Sequence, residues 1–289
     1  MKTMKLSNKL LRLIALPALM AVTATSTDAE EPLRPVLSAY TAEIGTSHIA
    51  NTYLSPLKYS GGATALNYER MQTMKFSPEK WVMRLDARVS FGWPKNPVRN
   101  ASMLDLDIDI RWGMMYRRHL TQGFTLMAGG STGIAGGAFY NSRNSNNPAS
   151  AKASWTVNAS ASAVWNGSFH GIPLCARYIV EMPLTGIFFS PEYDELYYEI
   201  YLGNHSGLVH GAWPGNFFRL DNLATLDMRF GATILRLGYR CNVLSTKACN
   251  LVTRSTTHTF VVGFASEWLS LSSRNTRGFE NARVISALY

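Results

Sequence analysis

The sequence predicts an all-β protein, a transmembrane antiparallel up-and-down β-barrel of about 12 strands, with about 10 as the other count that closes. Three observations predict it. Apolar residues recur at every second position, which only an extended strand with two unlike faces produces. The alternating segments run to roughly ten residues, the length a tilted strand needs to cross a bilayer. Trp and Tyr gather at segment ends, where aromatic rings meet the two headgroup zones of a barrel.

The chain of 289 residues opens on a basic segment (Lys2, Lys5, Lys9, Arg12), an apolar run from Leu13 to Val22, and small residues ending at Ala29. This is the pattern of a secretory signal peptide over 1–29, cut after Ala29. It is too short for an anchor helix and contains Pro17. Removing it takes away four basic residues and Asp28, so the formal charge falls from +9 to +6 (24 basic against 18 acidic). The remaining positive charge is spread along the chain, which gives nucleic acid no footing. It fits outer-membrane lipid and lipopolysaccharide as partners. Residues 30–289 read as one barrel domain in the outer membrane of a Gram-negative cell, monomeric, with no cofactor or metal expected.

The first strands are expected over 36–49 and 60–75. The third, 81–93, alternates most cleanly: Trp81, Met83, Leu85, Ala87, Val89, Phe91 and Trp93 on one face, with Arg84, Asp86 and Arg88 on the other. The fourth, 103–118, sets Leu104, Leu106, Ile108, Ile110, Trp112, Met114 and Tyr116 against Asp105, Asp107, Asp109 and Arg111. The fifth, 123–139, contains AGGSTGIAGGA (128–138). No Lys-Ser/Thr follows it, so it is a strand with room for close packing, not a phosphate loop. The sixth, 152–167, alternates Trp155, Val157, Ala159, Ala161, Ala163 and Trp165 with polar residues. The seventh, 172–184, sets Leu174, Ala176, Tyr178, Val180 and Met182 against Cys175, Arg177 and Glu181. Segments 195–204 and 206–213 alternate least regularly, and a barrel without them has about ten strands. Strands over 217–230, 231–243 and 254–269 complete the set. The tail, 270–289, is either a short closing strand or a periplasmic extension. Connectors alternate between tight turns and longer polar loops, the latter at 94–101, 140–152, 184–195 and 242–254.

A soluble β-sandwich or lipocalin-like barrel would turn the apolar face inward. Small residues on that face (Ala159, Ala161, Ala163) suit lipid, which fills any shape, better than a core that needs bulk. The other face carries charges of both signs, as a narrow lumen closed by mutual ion pairs requires. The expected lumen charges are Arg84, Asp86, Arg88, Asp105, Asp107, Asp109, Arg111, Arg177, Glu181, Glu199, Asp227, Arg229 and Arg236. The expected aromatic girdle is Trp81, Trp93, Trp112, Tyr116, Trp155 and Trp165.

Asp105, Asp107 and Asp109 are spaced about 6.5–7 Å apart along one strand face, too far to share one cation without outside ligands. Arg84 and Arg88 on the preceding strand are their expected partners. Glu181 and Glu199, a possible acid/base pair, read instead as lumen charges opposite Arg177 and Arg219. Cys241 and Cys249 flank a plausible loop and form a disulfide candidate in an exported protein. The segment from Asn204 to Asn216 holds His205, Ser206 and His210, the residue types of a barrel lipid hydrolase: nucleophile, base and orienting amide. His205 and Ser206 are adjacent, so in a strand they face opposite ways. A polar turn at the membrane rim accounts for them equally, and no catalytic residue is assigned.

The stretches FFSPEYDELYYEIYLGNHSGLVHGAW (188–213), LDNLATLDMRFGATILRLGYR (220–240), SEWLSL (266–271) and the terminal VISALY resemble a family of exported proteins of Bacteroidetes-type Gram-negative bacteria, the domain of unknown function 3316. The likeness covers nearly all of the mature chain. It implies an outer-membrane location and no activity. Where an aromatic–polar run would be expected, this chain has AWPGN (212–216), which counts against catalysis there. The sequence therefore favours a structural or small-channel barrel. A phospholipase-type enzyme and a surface-loop adhesin or receptor are the alternatives. About twelve strands is too narrow for a wide porin channel unless the lumen is sparsely filled.

Overall fold

A computed structural model describes residues 32–145, 147–191, 197–203, 207–269 and 283–289. The signal peptide expected over 1–29 lies outside them. The strands are β1 (Val36–Asn51), β2 (Lys58–Thr73), β3 (Trp81–Gly92), β4 (Met103–Thr121), β5 (Phe124–Asn141), β6 (Ala149–Phe169), β7 (Ile172–Phe189), β8 (Val209–Ala212), β9 (Phe217–Phe230), β10 (Thr233–Ala248) and β11 (Leu251–Trp268). Each pairs antiparallel with its neighbours, and β1 pairs with β11 along its whole length, so the sheet closes. β8 pairs only with Gly186–Phe189 at one end of β7, while the rest of β7 pairs with β9. The wall therefore has ten strands, and β8 is an addition at the rim.

That corrects the larger strand count. Of the two irregular segments, the first holds a short helix, α1 (Tyr197–Tyr201), and the second holds only the four-residue β8. YYEIY has bulky residues at consecutive positions, with no alternation to fit a two-faced wall.

Three tight turns lie at the end where β1 begins and β11 finishes. Each contains a glycine with positive φ: Gly123 (80°), Gly171 (79°) and Gly231 (64°), the conformation that two-residue hairpins demand. The other end carries the longer loops. One expected loop, 242–254, is not one. β10 and β11 run through it and turn at Cys249 and Asn250, both left-handed with φ of 46° and 63°. Ser245 and Lys247 take the outward positions there, so the apolar alternation fades while the strand continues. The disulfide expectation fails for the same reason. Cys241 is in the ladder opposite His258, and Cys249 is at the turn. Eight residues of extended strand put roughly 25 Å between them, against the about 4–7 Å between Cα atoms that a disulfide spans.

Following ladder partners around the wall returns to β1 about twelve residues from the start, which for this strand number sets a tilt of roughly 40°. Apolar side chains point outward, among them Ile44, Leu66, Val89, Ile108, Ile110, Phe260 and Phe264, all exposed. Outward aromatics form two belts. Trp81 meets Tyr116 edge-on at 5.5 Å, and Trp165 lies opposite Phe124 near the tight-turn end. Trp93 and Trp155 lie toward the loop end. From Trp81 to Trp93 is roughly 40 Å of strand, or about 30 Å along the barrel axis at this tilt. Trp112 departs from the expected girdle. It faces Leu85 midway along β3, between the belts. Polar groups on this outer face are paired: Tyr178 donates to Asn222 at 2.7 Å, and Tyr239 meets His258 at 2.6 Å.

Candidate functional site

The inward face carries the charge. At mid-height seven arginines (Arg84, Arg88, Arg111, Arg177, Arg219, Arg236, Arg240) meet seven carboxylates (Glu43, Glu69, Asp86, Asp109, Glu181, Asp221, Asp227). Many of these contacts cross the lumen. Arg177 on β7 donates to Glu69 on β2, five strands away around the wall, at 2.6 and 3.0 Å. Arg84 on β3 reaches Glu181 on β7 at 2.7 Å, and Arg111 on β4 reaches Asp221 on β9. Glu69 is shared by Arg84, Arg177 and Arg236. Asp86 is shared by Arg84, Arg111 and Arg240. Glu181 also accepts from Ser131 at 2.8 Å and Ser160 at 2.9 Å. Gly133 makes room for this, since a Cβ there would stand 2.9 Å from the Arg111 side chain. The result is a buried layer in which every charged group has at least one ion-pair partner, the condition under which buried charge is tolerable.

The expected lumen residues on β3, β4, β7, β9 and β10 all face inward. Two pairs join direct ladder neighbours, Asp86 with Arg111 and Asp227 with Arg236, and the other partners lie elsewhere. Arg88 goes to Glu43 at 2.9 Å, and Arg84 to Glu69, Asp86 and Glu181. Asp105 and Asp107 take Lys152 of β6, at 2.5 and 3.1 Å. Asp109 takes Arg111 and Arg219. Long guanidinium stems lean across the lumen, so partners are set by height on a tilted wall as well as by adjacency. Arg229 pairs with Glu267 at 2.6 Å nearer the tight-turn end. Glu199 falls within the short helix α1, outside the wall strands, and Arg219 pairs with Asp109. Glu43, Glu69, Lys152, Asp221 and Arg240 were missed. Alternation within TAEIG (41–45) and around Glu69 was enough to assign the first two to the inner face.

Below the charged layer the lumen turns apolar. Leu37, Met71, Val82, Met115, Met127, Val164, Ile179 and Ile234 form one buried cluster with Ala287 and Leu288 of the C-terminal segment. That segment neither closes the wall nor extends away. Residue 284 bridges Leu33, and the chain end enters the lumen. Arg117 donates to the carbonyls of Ser286 (2.7 Å) and Ala287, and Asn166 donates to that of Leu288 (2.6 Å). Arg229 covers the Tyr289 ring at 4.4 Å.

Above the charged layer, on the loop side, a cavity of about 90 Å³ is lined by Arg88, Asp105, Asp107, Lys152 and Arg219, by hydroxyl side chains, and by Phe139, Phe188 and Phe217. Part of its rim is packed by Leu54 and Ala101 of the loops against Ile49, Tyr59, Met103 and Phe139. Tyr197 of α1 accepts a hydrogen bond from the Ala151 N–H at 2.6 Å and meets Tyr53 edge-on. Burial there pushes the Tyr197 phenol up from its ordinary value.

Of the catalytic candidates, His205 and Ser206 lie outside the described residues, as does Asn204. His210, on β8, places Nε2 3.0 Å from the Ser190 carbonyl and its ring against Phe188. It ties the rim strand down. Asn216 caps its own turn, accepting from Trp213 N–H and donating to the Gly211 carbonyl.

No curated protein matches this chain in sequence. Among solved structures it is similar to the translocator domain of the autotransporter NalP from Neisseria meningitidis, with 11% identity and a TM-score of 0.39 over 83% of this chain and 90% of that one. It is similar to the outer membrane protease OmpT from Escherichia coli, with 5% identity and a TM-score of 0.43 over 84% and 99%. An outer membrane channel from Pseudomonas putida F1 matches with 11% identity and a TM-score of 0.32 over 84% and 100%. The profile of one family, described as protein of unknown function (DUF3316), matches residues 10–275, and the chain belongs to that family.

Proposed function

We propose that this protein spans an outer membrane as a closed barrel, structural in character, whose lumen does not conduct from side to side. The membrane reading is supported by the outward apolar wall and by aromatic belts about 30 Å apart, the thickness of a hydrocarbon core. Lipid and lipopolysaccharide are then its surroundings, and a monomer suffices because a closed wall leaves no unpaired edge.

One observation carries the closed reading. The Arg177–Glu69 contact joins opposite walls, inside a layer where Arg236, Arg240, Glu43 and Asp86 are 2% exposed or less. A water column cannot pass such a layer without separating charge pairs, which costs several kcal/mol for each buried ion stranded. The plug of Ala287 and Leu288 adds an apolar seal beneath.

The test is planar-bilayer recording of the refolded chain. No unitary current steps are expected in molar salt. Steady ohmic steps from the unaltered protein would show an open channel and end this reading.

A further inference from the structure

The outward face of the wall is not the same all round at the loop end. On β4, β5, β6, β7 and β9 no outward position there carries a Lys or Arg. On the strands between, the outward series continues as Lys58 (β2), Arg254 (β11) and Lys247 (β10), with Lys95 just past β3, all of them exposed. We propose that this row holds the phosphorylated sugar headgroup of a lipopolysaccharide molecule in the outer leaflet. The assignment rests on the membrane reading, with the longer loops on the outer side.

Three features point to that partner. First, the cations are close together and unpaired. Lys58 and Arg254 both stand opposite Ala50, one on each side of β1, about 10 Å apart at two strand spacings. Lys95 faces Ser60, two residues from Lys58, and Lys247 is two beyond Ser245, the ladder partner of Arg254. Such diagonal neighbours are about 7–8 Å apart. None of the four side chains has an ion pair among the described residues. The carboxylates of these strands, Glu43, Glu69, Asp86 and Glu267, all point inward. Second, the row lies at headgroup height. The Trp93 indole covers Gly62, where a Cβ would stand 2.6 Å from the ring, and Lys95 and Ser60 are the next outward pair beyond. Third, the aromatic belt is interrupted here. Where β6 and the end of β3 place Trp155 and Trp93, the strands β11, β1 and β2 place Thr256, His48 and Ser60. His48 Nδ1 and Ser60 Oγ meet at 2.9 Å. Hydroxyl and imidazole groups offer hydrogen bonds to sugar and phosphate oxygens. The row spans five neighbouring strand positions, about 19 Å at the usual spacing, wider than one phosphate can bridge, so it fits a headgroup with more than one phosphate.

The experiment is titration of the folded full-length chain in detergent micelles with bisphosphorylated lipid A, its dephosphorylated form and phosphatidylglycerol, with bound lipid counted by native mass spectrometry. Bisphosphorylated lipid A is expected to bind about tenfold or more tightly than either comparator, as the loss of charge-assisted hydrogen bonds implies. Lys58→Gln combined with Arg254→Gln is expected to weaken it about tenfold or more. Arg118→Gln combined with Arg143→Gln removes the same charge from exposed positions off the row and is expected to leave binding unchanged. Both pairs are on the surface, so neither is expected to unfold the wall. Equal affinity for either comparator, or an equal loss in the two double variants, would overturn the proposal. Flotation with phosphatidylcholine vesicles separates this result from the membrane reading. A chain that floats with the vesicles but shows no preference for phosphorylated lipid A removes the site alone. A chain that does not float removes the membrane reading, and the site with it.

Discussion

Replacing Glu181 by Gln is expected to destabilise the barrel by about 3 kcal/mol, at the lower end of what breaking a buried ion pair costs. The magnitude follows from the partners. The carboxylate accepts from Arg84 at 2.7 Å, Arg111 at 2.8 Å, Ser131 at 2.8 Å and Ser160 at 2.9 Å. The amide keeps the shape but removes the charge, and its NH₂ then points a donor at donors. Both arginines keep other partners, Glu69 and Asp86 for Arg84, and Asp86, Asp109 and Asp221 for Arg111. Neither is stranded, which places the cost at the low end. Glu181→Leu, which offers no acceptor, is expected to cost about 5 kcal/mol. The assay is urea unfolding in detergent or short-chain lipid, followed by tryptophan emission, with the slope checked for constancy. A double-mutant cycle with Arg84→Met should return a coupling of about 1–3 kcal/mol. A change under about 1 kcal/mol for Glu181→Gln, with no coupling to Arg84, would refute the claim that these charges form one mutually paired buried layer.

Leu288→Ala is expected to cost about 2–4 kcal/mol in the same assay, because Leu288 is only 3% exposed within the plug; a surface-like effect would mean the terminus does not occupy the lumen. Gly133→Val should push Arg111 from its place and cost about 1–3 kcal/mol, with Gly136→Val, whose Cβ would meet no atom closer than 3.9 Å, as the mild control. Peptide mapping without reductant should find no peptide linking Cys241 to Cys249, and such a peptide would show a different pairing of β10 with β11. Single-tryptophan variants in brominated lipid should show Trp112 quenched best by deep bromines and Trp93 and Trp155 by shallow ones. Uniform quenching would contradict the height assigned to Trp112.

The wall was legible in the sequence because it is the product of a strict rule. Every second residue of β3, β4 and β6 meets one environment, so Leu106, Ile108 and Ile110 announce the strand and its face together. The rule weakens where the wall leaves the membrane. Ser245 and Lys247 are outward on a regular strand, yet nothing apolar marks them, and β10 and β11 were cut short. The interior was legible in kind but not in detail. Parity places Arg88 and Asp107 inside, but partner choice depends on strand tilt and circumference, which no local pattern encodes. Arg88 therefore meets Glu43, 45 residues away, while its ladder neighbour Asp109 binds Arg219. The C-terminal plug was invisible for another reason. VISALY is too short to show a period, and its place is fixed by contacts with Arg117 and Asn166 from far upstream.

The charged layer and the apolar plug answer one physical constraint. A lumen this narrow holds too little water to hydrate fourteen ionised groups, so the charges must satisfy one another or be absent. They satisfy one another by sharing: Glu69 serves three arginines, Asp86 three and Glu181 two. Shared acceptors couple the members of the layer, since moving one arginine changes the field at a carboxylate that holds two others. Toward the tight-turn end the inward residues are mostly methionine and aliphatic, and they have no counter-charges to share. An apolar filler is the remaining way to exclude water there, and Ala287 and Leu288 supply it from the chain's own end. On the loop side both devices are present but fill less of the space. The three phenylalanines, the hydroxyl groups and the Asp105–Asp107–Lys152 cluster leave space open where closing it would have taken only larger side chains at Ser90 and Ser154.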